Sequence, residues 1–218
     1  VEVRRVATEE FTRPFDLSRD LMLRVSLIRE SAENHVLVLS LHHIASDEWS
    51  LRVLIHELNV LYKAYCQGEG NPLPALPVQY RDYAVWQRNW LQGKVLEEHL
   101  QYWRTRLQGA PKEHGLLLDR PRPAMQSYRG ATYRQVLGAG VLAGLKALGE
   151  EHNATLFMTL RAAFTLLLAR YSGEQDVVIG SPITNRSQAE VEPLIGLFLN
   201  TLVLRSEVPW ETTFHAYL

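Results

Sequence analysis

Two adjacent imidazoles followed four residues later by a carboxylate, in the run His42-His43-Ile44-Ala45-Ser46-Asp47, are the side chains best suited to chemistry. An imidazole gives or takes a proton near neutral pH, and a carboxylate across a short turn can organise the loop that presents it. Asp is equally a common helix N-cap, and a helical pattern opens at Trp49, so the spacing alone leaves Asp47 with two roles. Successive side chains of a strand point to opposite faces, so His42 and His43 cannot both address one cleft while the strand stays regular. One of the pair is expected to be structural. Other chemistries find little support. There is no Gly-x-Ser-x-Gly, Ser181 sits in Gly180-Ser181-Pro182 without the elbow's second glycine, and Cys66 near the end of a helical stripe reads as core. A covalent acyl-enzyme is therefore disfavoured. His56-Glu57-Leu58-Asn59-Val60 begins like a zincin but lacks the second histidine, and no other His/Cys/Asp/Glu grouping has ligand spacing, so no metal is implied. Gly138-Ala139-Gly140 followed by Gly144 has the wrong spacing for a dinucleotide fingerprint, and no phosphate loop with Gly-Lys-Ser/Thr occurs.

The elements that must position these side chains follow from periodicity. Leu21 to Ile28 and His35 to His43 are β-prone runs separated by the polar stretch Arg29 to Asn34, which predicts an antiparallel hairpin with the histidines ending its second strand. From Trp49 the period turns helical, with Leu51, Leu54, Ile55, Leu58, Leu61 and Tyr65 on one stripe, until Gly68 to Pro72 stops it. Val78 to Leu107 reads as two aromatic-rich helices broken near Gly93. The Pro-rich, charged segment 108–126 reads as a linker. Beyond it are expected a strand (Tyr133 to Leu137), helices at Val141 to Glu151 and Leu156 to Tyr171, and a strand at Asp176 to Ser181. A short helix (Glu190 to Ile195), a strand (Phe198 to Ser206) and a helix beginning at Thr212 complete the pattern. Such alternation means an α/β body.

Composition narrows the partners. With 46% hydrophobic and 22% charged residues the 218-residue chain is globular rather than disordered. A formal net charge of −1 with basic residues spread along the chain gives no electrostatic footprint for nucleic acid or an anionic membrane. Arg161 interrupts the longest apolar run, so no membrane span is expected. One cysteine excludes an internal disulfide framework and fits a reducing cytoplasm. The opening at Val1 without a methionine and the end at Leu218 inside an apolar pattern read as an excerpt.

Three ordered motifs resemble the condensation domains of nonribosomal peptide synthetases, within the chloramphenicol acetyltransferase-like group. Leu41-His42-His43-Ile44-Ala45-Ser46-Asp47-Glu48-Trp49-Ser50 is similar to the histidine motif, in which the family usually has glycine where Glu48 stands. Tyr80 to Trp86 resembles the second motif and Ile195 to Arg205 the third; Asp119-Arg120-Pro121-Arg122-Pro123 and Gly180 to Arg186 are also similar to family segments. The resemblance implies a two-lobed α/β chloramphenicol acetyltransferase-like fold, incomplete here at both ends. Residues 1–107 would belong to the first lobe, 108–126 to an inter-lobe linker and 127–218 to the second lobe, with a tunnel between lobes reached by carrier proteins.

The implied reaction joins a donor aminoacyl or peptidyl thioester to the amine of an acceptor aminoacyl thioester. No cofactor is held by the domain itself; both substrates ride on the 4′-phosphopantetheine arms of donor and acceptor carrier proteins, and an adenylation domain is an expected neighbour. By resemblance His43 faces the tunnel, as base or as hydrogen-bonding group, while His42 supports it and Asp47 is structural, paired with Arg186. Asn200 either supports the site or bonds its local backbone. If the usual glycine serves a positive φ angle or close approach of the pantetheine arm, Glu48 adds strain and a charge beside the tunnel. Trp49 and Tyr83 to Trp86 look most like the subtype joining L-donors to L-acceptors. The isolated chain is expected to be inactive. Two rival readings are a non-catalytic condensation-like platform that recruits tailoring enzymes, and an epimerisation domain.

Overall fold

The computed structural model describes residues 2–218. It contains α1 (Glu2–Thr12), β1 (Leu23–Arg29), β2 (His35–Leu41), α2 (Glu48–Cys66), α3 (Tyr80–Trp90), α4 (Gly93–Arg106), α5 (Ala139–Glu151), α6 (Leu156–Ser172), β3 (Asp176–Ile183), β4 (Asn200–Glu207) and α7 (Phe214–Tyr217). The mixed α/β class expected from the alternation is what forms. Two compact units emerge: residues up to Glu97 with Pro182–Thr201, and Glu98–Ser181 with Leu202–Leu218. They do not follow the linear division at 108–126. The segment 182–201, expected with the second half, folds into the first unit because its polar and apolar side chains find their partners on α2 and α3.

In the first unit β1 and β2 pair antiparallel from Leu23↔Leu41 to Arg29↔His35. The ladder puts Leu23, Val25, Leu27, Leu37, Leu39 and Leu41 on one face, since register fixes facing in a pleated pair. The expected second strand stops at Leu41: the His42 N–H makes the last hairpin bond, to the Met22 carbonyl, and the chain then turns into a 3-10 helix at His43–Ala45. α1 was not anticipated; Val3, Val6, Ala7 and Glu10 form its half-buried stripe at helical spacing. α3 starts where the Asp82 carboxylate accepts from the Gln79 N–H at 2.8 Å. Its Tyr83 packs with Val191, Leu194 and Phe198 in a buried cluster flanked by Leu76 and Val78. Cys66, expected in the core, is exposed at the end of α2, two residues past Ala64, the last buried position of that helix.

In the second unit α6 is capped by the Thr155 hydroxyl, which accepts from Met158 N–H at 3.3 Å, and ends at Gly173 in the left-handed region at φ 74°. Ala169, Val177 and Val208 form its core with Leu166, Leu168, Ile179 and Tyr217 around them. Arg205, the last residue of the third motif, clasps the Asp176 carboxylate at 2.6 Å and donates to the carbonyls of Arg106 and Gln108 at 3.1 and 2.8 Å. That carboxyl lies below its usual range because the Arg205 guanidinium bonds it, against the opposing effect of desolvation. The predicted strand Tyr133 to Leu137 does not form: residues 131–138 carry no regular structure, and Tyr133 and Val136 are 86% and 95% exposed. β-propensity without a neighbouring strand leaves the backbone unpaired.

Candidate active site

The histidine run folds as a tight turn between β2 and α2. His42 Nδ1 accepts from the Ile44 N–H at 3.0 Å, and its ring meets Phe15 edge-on at 5.5 Å. Both contacts make it a framework residue. His43 has its Nδ1 2.5 Å from the Ser46 carbonyl oxygen. A carbonyl only accepts, so Nδ1 carries the hydrogen and, in the neutral ring, Nε2 keeps its lone pair. The side chain is exposed, so that lone pair is available to a substrate. The reason the two imidazoles diverge is not strand alternation, as expected, but the 3-10 turn that begins at His43.

Asp47 anchors the far end of this turn and takes both of the roles its spacing left open. As N-cap of α2 its Oδ1 accepts from the Ser50 N–H at 2.8 Å and the Ser50 hydroxyl at 2.7 Å. Its Oδ2 accepts from the Phe198 N–H at 3.0 Å, and Arg186 Nη2 donates to Oδ1 at 3.3 Å. The pair is closed to water, with side chains 2% and 3% exposed for Arg186 and Asp47. Burial alone pushes the Asp47 carboxyl up; the Ser50 N–H and hydroxyl, the Phe198 N–H and the Arg186 charge together outweigh it and hold the group below the usual carboxylate range.

Arg186 reaches this position from a turn whose Asn185 adopts φ 50°, a left-handed angle that Asn tolerates better than most residues. Its Nη1 donates to the Val191 and Leu194 carbonyls at 2.6 and 2.9 Å, and its guanidinium lies 3.9 Å over the Phe198 ring. These contacts pair both terminal nitrogens of a cation that would otherwise be costly to bury, while its buried Nε has no hydrogen-bond partner.

Three residues of this network escaped sequence reading. Ser50, fully buried, donates through one hydroxyl to Asp47 or to the Gly196 carbonyl (2.7 Å) while accepting from the Gly196 N–H and Arg186 Nη2 at 3.0 and 2.9 Å. Gly196 allows the approach of Tyr80, because a Cβ there would stand 2.1 Å from the ring's Cδ2. Tyr80 donates its hydroxyl to the Leu197 carbonyl at 2.8 Å. Serine three residues after an N-capping Asp was a usable signal for the first; the motif glycine was one for the second. Trp49, from the same helix start, donates its indole N–H to the Glu192 carbonyl at 2.9 Å.

The remaining candidates fare differently. Asn200 is exposed and its Oδ1 accepts from the Thr201 N–H at 2.8 Å, the local bond that was the alternative to a supporting role. Glu48 is the first residue of α2 with a negative φ, so the strain expected at a glycine position is absent, and its carboxylate pairs with Arg52 at 2.9 Å in solvent. It does border a cavity of about 300 Å³ together with Trp49, Pro182, Ile183 and Leu199. A second cavity of about 450 Å³ touches the histidine turn through Ile44 and Ala45 and is also lined by Met22, Tyr80 and Gly196. His56 and Glu57, the zincin-like pair, line a third, with Trp49 and Leu76. Among the described residues the side chains grouped closely enough to bind a metal are others: Glu151, His152 and His215. The sequence-based expectation that no such grouping exists missed this set because His215 lies far from the other two in the chain. No helix among the described residues is long and apolar enough to cross a membrane.

An exposed imidazole of fixed tautomer, mounted on a turn that a buried carboxylate, serine and guanidinium hold in place, is equipped to accept a proton or a hydrogen bond. The model of the condensation domain family matches residues 2–218, and the chain belongs to that family. It is 49% identical over 214 residues to a component of the linear gramicidin synthase of Brevibacillus parabrevis, a match that covers 98% of this chain and 3% of that protein. Among solved structures, the complex of the X-domain and OxyB from teicoplanin biosynthesis superposes with a TM-score of 0.90 at 31% identity, covering 99% of this chain and 49% of that one. The first condensation domain of the CDA synthetase gives 0.74 at 23% identity over 99% of this chain and 48% of that one. The chain thus spans about half of the solved domains and a few per cent of the synthetase.

Proposed function

We propose that this chain is part of a condensation domain that forms a peptide bond between a donor aminoacyl or peptidyl thioester and an acceptor aminoacyl thioester in nonribosomal peptide synthesis. The observation that carries this reading is the His43 Nδ1 to Ser46 carbonyl bond, which leaves Nε2 free to meet an amine. The acceptor nitrogen attacks the thioester carbonyl, a C–N bond forms, the C–S bond breaks, and the proton released from nitrogen ends on the departing thiol. A free α-amine titrates near ~7.7–8, so much of it is already neutral at cellular pH, and holding it in line with the carbonyl does as much as basicity. His43 fits either contribution. Asp47, Arg186, Ser50 and His42 position the turn. In this reading 1–107 belongs to the first lobe and 127–218 to the second, with 108–126 between them, and 182–201 is a stretch of the second lobe that folds with the first unit. The partners are pantetheine-bearing carrier proteins and an adjacent adenylation domain, in the cytoplasm.

A dipeptide assay with two loaded carrier proteins and the intact domain tests the proposal. His43→Ala abolishes product while the unfolding midpoint stays near wild type, because the side chain is exposed and its partner is one carbonyl; retained turnover would remove His43 from the reaction. A second reading, a platform that binds another protein without catalysis, is favoured by the closer likeness to an X-domain solved together with OxyB. Under it wild type makes no dipeptide and captures a neighbouring enzyme of its pathway. The intact histidine turn argues for catalysis.

A further inference from the structure

We propose that Glu151, His152 and His215 form a binding site for a late first-row divalent metal ion, zinc by availability, that ties α7 to the end of α5. The donor atoms of the three side chains all lie within 4.8 Å of one another, and the two imidazoles meet edge-on with centroids 5.1 Å apart. His152 Nε2 is buried and has no hydrogen-bond partner, which leaves a polar atom wanting one. Two imidazole nitrogens and a carboxylate oxygen are a common zinc donor set, leaving a fourth position for water.

The backbone that presents these groups is fixed by unrelated contacts. His152 is the C-cap of α5; its N–H bonds the Gly149 carbonyl at 3.1 Å, and the Ala154 N–H bonds the same oxygen at 2.7 Å. Asn153 between them takes φ 51°, and a Cβ on Gly149 would stand 2.6 Å from the Ala154 carbonyl, so this corner has little freedom. On the other side Thr213 caps α7 by accepting from Ala216 N–H at 3.2 Å, and Tyr217 packs against the Ala169, Val177 and Val208 core, which places His215. Tetrahedral zinc with bonds of ~2.0–2.1 Å needs its donors somewhat closer than the present spread. Glu151 and His215 are exposed and can rotate inward, whereas His152 is the part-buried anchor. The ion would act as a clasp and leave the His43 chemistry alone.

The test uses the intact condensation domain without an affinity tag, dialysed against EDTA. Cobalt(II) addition, followed by visible absorption, and zinc calorimetry report the site directly. The expected result is one equivalent bound in the micromolar range or tighter, a cobalt spectrum of tetrahedral intensity, and a zinc-dependent rise in unfolding temperature. His215→Ala and His152→Ala should each weaken binding by more than the ~10-fold that losing an outer hydrogen-bond partner costs. His215 is exposed, so its variant folds even if that of His152 does not. Absence of binding below millimolar zinc, or binding unchanged in His215→Ala, overturns the assignment, and neither readout depends on peptide formation.

Discussion

Asp47→Asn changes a single atom of the buried network and should unfold the domain far more easily than a surface substitution. The carboxylate faces four donors: Oδ1 meets Ser50 N–H, Arg186 and the Ser50 hydroxyl, whose one proton it shares with the Gly196 carbonyl, and Oδ2 meets Phe198 N–H. An amide supplies one acceptor and one donor. With its oxygen towards Ser50 the new NH2 confronts the Phe198 N–H; turned round, it confronts the Ser50 N–H and a guanidinium. Either orientation leaves a buried donor unsatisfied, which costs about 1–3 kcal/mol. The Arg186 charge also loses its counterion at 2% side-chain exposure, so the buried-pair regime applies, with about 3–5 kcal/mol expected in all. Urea unfolding of the intact domain, followed by tryptophan fluorescence and circular dichroism, measures it. Arg186→Met should cost a comparable amount, and the double variant should fall short of the sum by about 0.5–3 kcal/mol, as coupled neighbours do. A loss under about 1 kcal/mol, the range of exposed ion pairs, with additive singles, would refute the idea of a coupled buried network.

The remaining expectations are more local. Gly196→Ala should destabilise by about 1–3 kcal/mol, the usual cost of overpacking, since its Cβ would stand 2.1 Å from Tyr80; adding Tyr80→Ala should recover part of the loss, and independence of the two would refute the contact. Glu48→Gly should leave the rate of dipeptide formation unchanged and lower stability slightly, because Glu48 is unstrained at the helix start beside Arg52; a faster reaction would mean that its charge obstructs substrate in the adjoining cavity. Asp47 and Asp176 both bind their protons more weakly in the folded chain, so their contribution to stability is complete above the unfolded value of about 3.9 and fades as pH falls through the folded values. Urea midpoints measured down that range should drop less steeply for Asp47→Asn than for wild type, and equal slopes would count against the assignment.

The hairpin, α2 and the break between α3 and α4 at Gly93 were legible because alternation, a 3.6-residue stripe and glycine punctuation are local signals. The strand expected at Tyr133 to Leu137 failed because its stability depends on a partner that periodicity cannot supply. His42 and His43 were read by strand register, whereas the ladder closes at Leu41 and a turn sets their directions. Asp47 could be named from its spacing and Arg186 from the motif resemblance, yet the atoms that join them could not. Ser50 bonds Gly196 across 146 positions of sequence, and no pattern in a window of a dozen residues contains such a pair.

That separation bears on how synthetases can be recombined. A crossover anywhere from Leu51 to Asn185 would take Asp47 and Ser50 from one parent and Arg186, Gly196 and Phe198 from the other, although these five residues share one set of hydrogen bonds and a stacked cation. A chimaera of two condensation domains should therefore tolerate such a junction only where both parents present the same groups with the same loop length around Asn185. Junctions before Leu41 or after Phe198 leave the set intact, and those are the places where exchange between parents can be attempted without dismantling the histidine turn.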